Sequence, residues 1–533
     1  MNIILKIILI LFSFAHFNSA FADNDLLKKY ILELDTKDFK KKISVIEKIS
    51  EVDTDYSLHA LKSILNGKLF IRKSDQKILL VDIINRKYNT FYFFTNEEAG
   101  IEKKRKLKKI KINNNIRNKL NNNISILQLS RGTDVEKIKA IFEIIKEGNQ
   151  QTLQIINYRI KKEKKKDILK SLEIAKNSII ARYGANSERI DAIKNLSGKT
   201  NIDLVNILKN ISEDKSLQKN IVFEANKALN ISLKNIKYNN IMKTIFFGLS
   251  LGSVLLLAAI GLAITFGVVG VINMAHGELI MLGAYCTYVV QQIIPNDTSL
   301  SIIIAVPVAF IFTGIVGILI ERLIVKNLYG RPLETLLATF GLSLILQQLV
   351  RSIFSPLNKT VYSPEWMSGV SVIGGLELTN NRLVIIIFTL IVFLLVIYVL
   401  RKTVFGLHMR AVTQNRKMAS AMGINTKKID MLTFAFGSGV AGVAGVALSQ
   451  ITNVGPNLGQ NYIIDSFMVV VFGGVGNLLG TFIGAFGLGV GNKLIEPYTG
   501  AILSKILILL FIIIFIQFRP RGIFSLKGRT VDD

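Results

Sequence analysis

The chain has 533 residues, half of them hydrophobic, a mean hydropathy of +0.41 and one cysteine, Cys286. That composition excludes a disordered chain, a disulfide scaffold and a zinc fold built on cysteine ligands, and it points to a membrane protein. The formal charge of +28 is unevenly placed: residues 1–240 carry 46 Lys and Arg against 27 Asp and Glu, a surplus of 19, and residues 241–533 carry 20 against 11, a surplus of 9.

All eight prolines and all but six of the 39 glycines lie after residue 240, so the two halves are differently built. Met1–Ala22 carries one lysine, Lys6, an apolar run Ile7–Phe17 and small residues at Ala20 and Ala22. This matches a secretory signal cleaved after Ala22. The competing reading is an uncleaved first membrane helix, although the run is short for a hydrocarbon core of ~30 Å. Either way, residues 23–240 are expected outside the cytoplasm.

Residues 23–240 have apolar positions recurring at helical spacing, without proline. Three stretches are alike: Ile43, Val45, Ile46 and Ile49; Ile138, Ala140, Ile141 and Ile144; Ile190, Ala192, Ile193 and Leu196. Each is followed by a second apolar helix, near Leu58–Leu65, Leu153–Ile160 and Leu204–Ile211. Such pairs resemble HEAT-like repeats, which bury their apolar faces against neighbouring repeats. Ile78–Val81 and Phe91–Phe94 read as short strands or a hairpin. The basic clusters Lys103–Lys111 and Lys161–Lys166 suit solvated helix faces or anionic lipid, and export makes nucleic acid an improbable partner. Gly198-Lys199-Thr200 is not a phosphate loop, because position 193 is Ile where that motif needs glycine.

Residues 241–533 contain runs long enough to span a bilayer: Ile245–Thr265, Leu279–Ile294, Ser301–Ile320, Leu333–Val350, Leu383–Leu400, Ile429–Gln450 and Ile502–Phe518. Basic residues concentrate in the loops holding Arg322, Lys326 and Arg331 and Arg401 to Lys428, and in the tail with Arg519 and Arg521, which places those segments on the cytoplasmic side. Seven crossings from outside bring the tail inside only if the glycine-broken stretch Ile463–Val490 is re-entrant or doubled back. Phe266–Gly277 is also glycine-interrupted and sets Asn273 and His276 at membrane depth. Irregular backbone is tolerated there when it is buried in protein or lines a water-filled cavity. Two broken segments suggest a substrate path, and helix packing is the competing role for any single glycine. The expected fold is all-α: a polytopic permease preceded by an exported, mainly helical domain.

The segment Gly270–Gly283 (GVINMAHGELIMLG), the glycine-rich Val470–Gly480 and the ending Arg519-Pro520-Arg521-Gly522 resemble branched-chain amino-acid ABC transporter permeases. Gly330–Gln348, Asn453–Ser466 and Ser525–Arg529 look most like the urea permeases within that family, in a long form with an extracytoplasmic extension. The resemblance covers about 290 residues. It implies a multi-pass protein of the bacterial plasma membrane, its C-terminus cytoplasmic, in an importer of urea. The implied partners are a second permease subunit, two cytoplasmic ATPases and a periplasmic urea-binding protein. ATP would be used by those ATPases, with no cofactor in this chain and no enzymatic activity. A branched-chain amino acid or short amide is the alternative substrate, and a membrane-anchored HEAT-like scaffold the remote alternative function.

Urea is neutral and rich in donors and acceptors, so its path should offer hydrogen bonds without a strong net charge. The candidates are Asn273, His276, Thr339, Gln450, Asn453, Asn457 and Gln460, with Glu278, Glu334 and Asp465 as ionisable groups near the membrane boundary. His276 and Glu278 have a purely structural alternative, bonded to each other or to freed backbone. Arg410-Ala411 through Ala419, Ala421 and Gly423 resembles the loop by which ABC importers dock on their ATPases. There Gly423 can end a short helix in a left-handed conformation.

Overall fold

Polar residues standing just before apolar-periodic stretches start most helices of the first half. Thr54, Asn113, Asn149 and Asn201 accept hydrogen bonds from free first-turn amides, and Thr133 forms a reciprocal capping box with Glu136. In a computed structural model, residues 24–524 are described except 37, 53, 85, 86, 374 and 375. The expected leader at 1–22 and the ending at 525–529 lie outside the described residues. The chain divides into two units, Met1–Lys237 and Tyr238–Asp533.

In the first unit the three related stretches fall within helices Phe39–Glu51, Asp134–Glu147 and Asn186–Leu196. Helices Asp55–Leu65, Gln150–Lys162 and Ile202–Glu213 follow them, and Asn114–Arg131 and Lys166–Tyr183 are further helices of this unit. Val45, Ile46, Ile49, Leu61 and Ile64 pack with Ile116 and Leu120 in one core. Ile141, Ile144, Leu172, Ile179, Ile193 and Leu208 form another. The anticipated hairpin is the centre of something larger. Glu98–Glu102, Lys87–Tyr92, Ile78–Ile84, Leu69–Arg72 and Leu107–Lys109 lie side by side in that order as an antiparallel sheet.

The first membrane run is part of one continuous helix, Lys219–Val269, which contains no proline. Among the described residues seven helices are long and apolar enough to cross a membrane: this one, Thr298–Asn327, Pro332–Phe354, Asn380–Lys402, Thr426–Ser449, Leu478–Thr499 and Ala501–Phe518. Helices His276–Ile293 and Gln460–Gly473 pack among them. The Ile463–Val490 stretch is doubled back: its two helices turn at Gly474 and Gly476, with φ of +105° and +79°. A methyl group on Gly473 would stand 2.4 Å from the Gly480 carbonyl, so backbone meets backbone in this hairpin.

The loops sort into two ends. At one, Gln291 bonds the Tyr362 backbone, Lys359 pairs with Val454, and Arg351 reaches Asn457. At the other, Arg416 pairs with Asp430, and the Ile523 and Phe524 amides donate to the Phe472 and Gly473 carbonyls. The second end is the one that carries the basic loops.

Candidate functional site

The helix Lys219–Val269 stops at Gly270, whose φ of +73° only glycine adopts readily, and helical structure resumes at His276. The backbone freed between them is secured by a neighbouring helix. The Met274 amide donates to Thr339 Oγ1 at 3.1 Å, while the Thr339 hydroxyl donates to the Thr335 carbonyl at 2.8 Å. Asn273 Oδ1 accepts from the Ala275 amide at 3.0 Å. His276 lies 3.0 Å from the Ala258 carbonyl through Nε2; a carbonyl only accepts, so the hydrogen sits on that nitrogen.

Glu278 does not meet His276. Its Oε1 accepts from Ser343 Oγ at 3.0 Å and from Gln347 Nε2 at 2.8 Å. Thr335, Thr339, Ser343, Gln347 and Arg351 repeat every four residues, so one polar stripe runs along the helix Pro332–Phe354. Asn273 Nδ2, His276 Nδ1 and Glu278 Oε2 are buried and make no hydrogen bond within the chain. Each such atom costs about 1–3 kcal/mol, so three around one helix break mark a place that keeps bonding capacity in reserve.

The stripe ends at Arg351, which donates to Asn457 Oδ1 at 2.7 Å. Asn457 lines a cavity of about 730 Å³ together with Asn358, Asn453, Asn461 and Asn492. Asp465 and Lys505 pair across it at 3.2 Å, and Lys493 and Glu496 pair at 2.5 Å. The wall therefore offers five carboxamides and charges that balance. Gly455 lets the Asn358 carboxamide approach closely, since a methyl group there would lie 2.1 Å from Asn358 Oδ1.

Seven of the nine path residues named from sequence fall into two groups. Asn273, His276, Glu278 and Thr339 gather at the helix break. Asn453, Asn457 and Asp465 line the cavity. Gln450 is buried beside it, with Oε1 unbonded and its carbonyl accepting from Asn381. Gln460 is exposed on the first turn of its helix and does not line the cavity. Glu334 is exposed and paired with Arg331 at 3.1 Å. Ser343 and Gln347 were missed, although their four-residue spacing from Thr339 was a legible signal. Asn358, Asn492, Lys493 and Lys505 carry no local signal, because only tertiary folding brings them together.

Residues Val404–Gln414 and Arg416–Ala421 form two short helices between Asn380–Lys402 and Thr426–Ser449. Arg410 donates to the Leu400 carbonyl, Ala419 is buried and Ala421 is exposed, and Ala411 packs on the adjoining core. Gly423 has φ +86°, and the Ile424 amide donates back to the Ala419 carbonyl at 3.1 Å. That is the glycine-terminated helix end expected here.

A multi-pass helical bundle with a glycine-broken helix, a buried polar stripe and a balanced polar cavity defines a membrane permease. The chain belongs to the family of branched-chain amino acid transport system permease components, whose pattern it matches over residues 244–516. It is 31% identical over 294 residues to the high-affinity branched-chain amino acid transport system permease protein LivH of Salmonella typhimurium, covering 53% of this chain and 94% of that one. The corresponding protein BraD of Pseudomonas aeruginosa is 30% identical over 286 residues, 52% of this chain and 93% of its own. A probable LivH of Methanocaldococcus jannaschii is 28% identical, covering 51% and 88%. No solved structure matches the chain.

Proposed function

We propose that this protein is the membrane-spanning permease subunit of an ATP-driven importer for urea. Residues 23–240 lie outside the cytoplasm and the basic loops face two cytoplasmic ATPases. A second permease subunit completes the channel, and a periplasmic binding protein delivers substrate. The observation that carries the substrate reading is the cavity wall: five asparagine carboxamides, with both acids already paired to lysines. Carboxamides donate and accept at once, as urea does, and no unpaired charge stands ready to demand a counter-ion.

The names of the relatives favour a second reading, in which the substrate is a branched-chain amino acid. The Lys505–Asp465 and Lys493–Glu496 pairs would then open to receive a carboxylate and an ammonium group. The test is uptake of radiolabelled urea and of radiolabelled leucine at micromolar concentration, in cells carrying this chain with its neighbouring transporter genes. Wild type is compared with Gly423→Arg. ATP-dependent urea uptake lost in the variant supports the proposal. Leucine uptake without urea uptake replaces the substrate, and urea flux indifferent to ATP and to Gly423 rejects the importer.

A further inference from the structure

Arg416 opens the short helix Arg416–Ala421, and Asp430 lies in the second turn of the long helix Thr426–Ser449. The guanidinium grips the carboxylate with both arms, Nη1 on Oδ1 at 3.2 Å and Nη2 on Oδ2. The Asp430 side chain is wholly inaccessible, whereas that of Arg416 is 44% exposed. A buried carboxylate held by a planar fork has essentially one arrangement, unlike a lysine pair on a surface.

The contact extends further. The Arg416 guanidinium stands 5.5 Å from the centre of the Tyr329 ring, and the Tyr329 hydroxyl donates to Glu321 Oε1 at 2.9 Å. Burial, reinforced by Asp430 and Glu321 nearby, holds the Tyr329 phenol far above its ordinary range, so it remains a donor. Glu321 closes the helix Thr298–Leu323, and its neighbour Arg322 lies 3.2 Å from the sulfur of Met431. Two stretches far apart in sequence, Glu321–Tyr329 and Arg416–Asp430, therefore meet around one buried carboxylate.

The two long helices tied there pack at backbone distance. A methyl group on Gly442 would meet the Ala309 carbonyl oxygen at 2.8 Å, and one on Gly439 would meet the Phe310 carbonyl oxygen at 3.0 Å. Such an interface slides little without separating, so the pair moves as a body. Thr426–Ser449 then leads directly into Thr452 and Asn453, which line the polar cavity.

We infer that Arg416 and Asp430, braced by Tyr329 and Glu321, form a latch that makes the ATPase-facing loop and the helix Thr426–Ser449 move as one piece. Displacement imposed on the loop is thereby delivered to the cavity at the far end of the same helix. Asp430 is a positioning residue, since it touches no substrate. The inference rests on the importer reading above.

The test uses the complete transporter in proteoliposomes, with ATP hydrolysis and substrate uptake measured on the same preparation. Asp430→Asn weakens the fork, and Arg416→Met with Asp430→Leu removes both charges together. The second variant is decisive because replacing a buried ion pair by apolar residues is commonly neutral for folding. We expect both to assemble and hydrolyse ATP, with uptake per ATP falling roughly tenfold. A double variant that assembles and keeps wild-type uptake per ATP overturns the latch alone. Wild-type flux that does not depend on ATP overturns the importer reading and the latch together.

Discussion

Gly445 offers a sharp test of the packing argument, because two ordinary expectations for Gly445→Ala have opposite signs. Alanine is the better helix former by ~1 kcal/mol, and Gly445 lies inside the helix Thr426–Ser449. Against this, a Cβ there would lie 2.0 Å from the Ile280 carbonyl oxygen and 2.6 Å from the Ala284 amide nitrogen. Ordinary contact begins at 3.4 Å, so the helices His276–Ile293 and Thr426–Ser449 must part by about 1.4 Å. The obstacles are backbone atoms of a helix that cannot rotate away, which puts the overpacking cost at the upper end of about 1–3 kcal/mol. The net expectation is a loss of about 2 kcal/mol, or roughly 5 °C in the temperature at which the detergent-solubilised protein loses its monodisperse chromatographic peak. Gly487→Ala is the control: it also sits inside a helix, but nothing lies within 4 Å of its added methyl. That substitution should hold or raise the midpoint. A Gly445→Ala protein as stable as Gly487→Ala would refute the claim that backbone contact sets the spacing of these helices.

Four further outcomes are expected. Gln347→Ala removes the 2.8 Å donor to Glu278 and should cost about 1–3 kcal/mol in the same melt, with Ser343 still bonded. Gly423→Ala forces a side chain into a left-handed conformation at a cost of about 1–2 kcal/mol, so it should reduce uptake while Gly423→Asn, which tolerates that conformation, retains more. Under the urea proposal Asp465→Asn with Lys505→Gln leaves the KM for urea within a few-fold of wild type, whereas a charged-substrate path would lose it; a concentration series decides. In the first unit Lys62 donates to Glu136 and holds its carboxyl at about 2, below the ordinary 4.5. A depressed carboxyl contributes stability that is complete above about 4.5 and is lost as pH falls towards about 2. Both side chains are more than a third exposed or close to it, so the contribution is small, about 0.2–1 kcal/mol. Glu136→Gln should lower hydrogen-exchange protection in the helix Asp134–Glu147 at pH 7 and make no difference near pH 2, once the intrinsic pH dependence of exchange is removed.

How much of this was legible follows from which interactions are local. The two glycine-broken segments were readable because a break needs its own residues, Gly270 in one and Gly474 and Gly476 in the other, all at positive φ. The hairpin at Ile78 was legible from its apolar run, but the sheet extends into Glu98–Glu102 and Leu107–Lys109, whose charges hide any alternation. Their places are assigned by pairing with neighbouring strands, not by their own pattern. The helix Lys219–Val269 runs on through the composition change at residue 240, because that change introduces neither proline nor a cap. A boundary in composition is a change of solvent, not a break in backbone.

The polar stripe and the cavity mark the limit from the other side. Thr335, Thr339, Ser343, Gln347 and Arg351 repeat at the helical period, so the face itself is written in the sequence. What it faces is not. Glu278 could be read as a costly charge near a helix start, and His276 two residues before it is its obvious partner in sequence. A helix turns these neighbours about 200° apart, however, and sends one to the Ala258 carbonyl and the other to Ser343 and Gln347. The same logic separates the candidate residues: Asn453, Asn457 and Asp465 join Asn358 and Asn492 at the cavity, whereas the residues around Asn273 stay at the break. Arg351 ends the stripe and donates to Asn457 Oδ1 at the cavity wall. The helix Pro332–Phe354 thus carries a polar face that bonds Glu278 beside the break through Ser343 and Gln347 and reaches Asn457 at the cavity through Arg351.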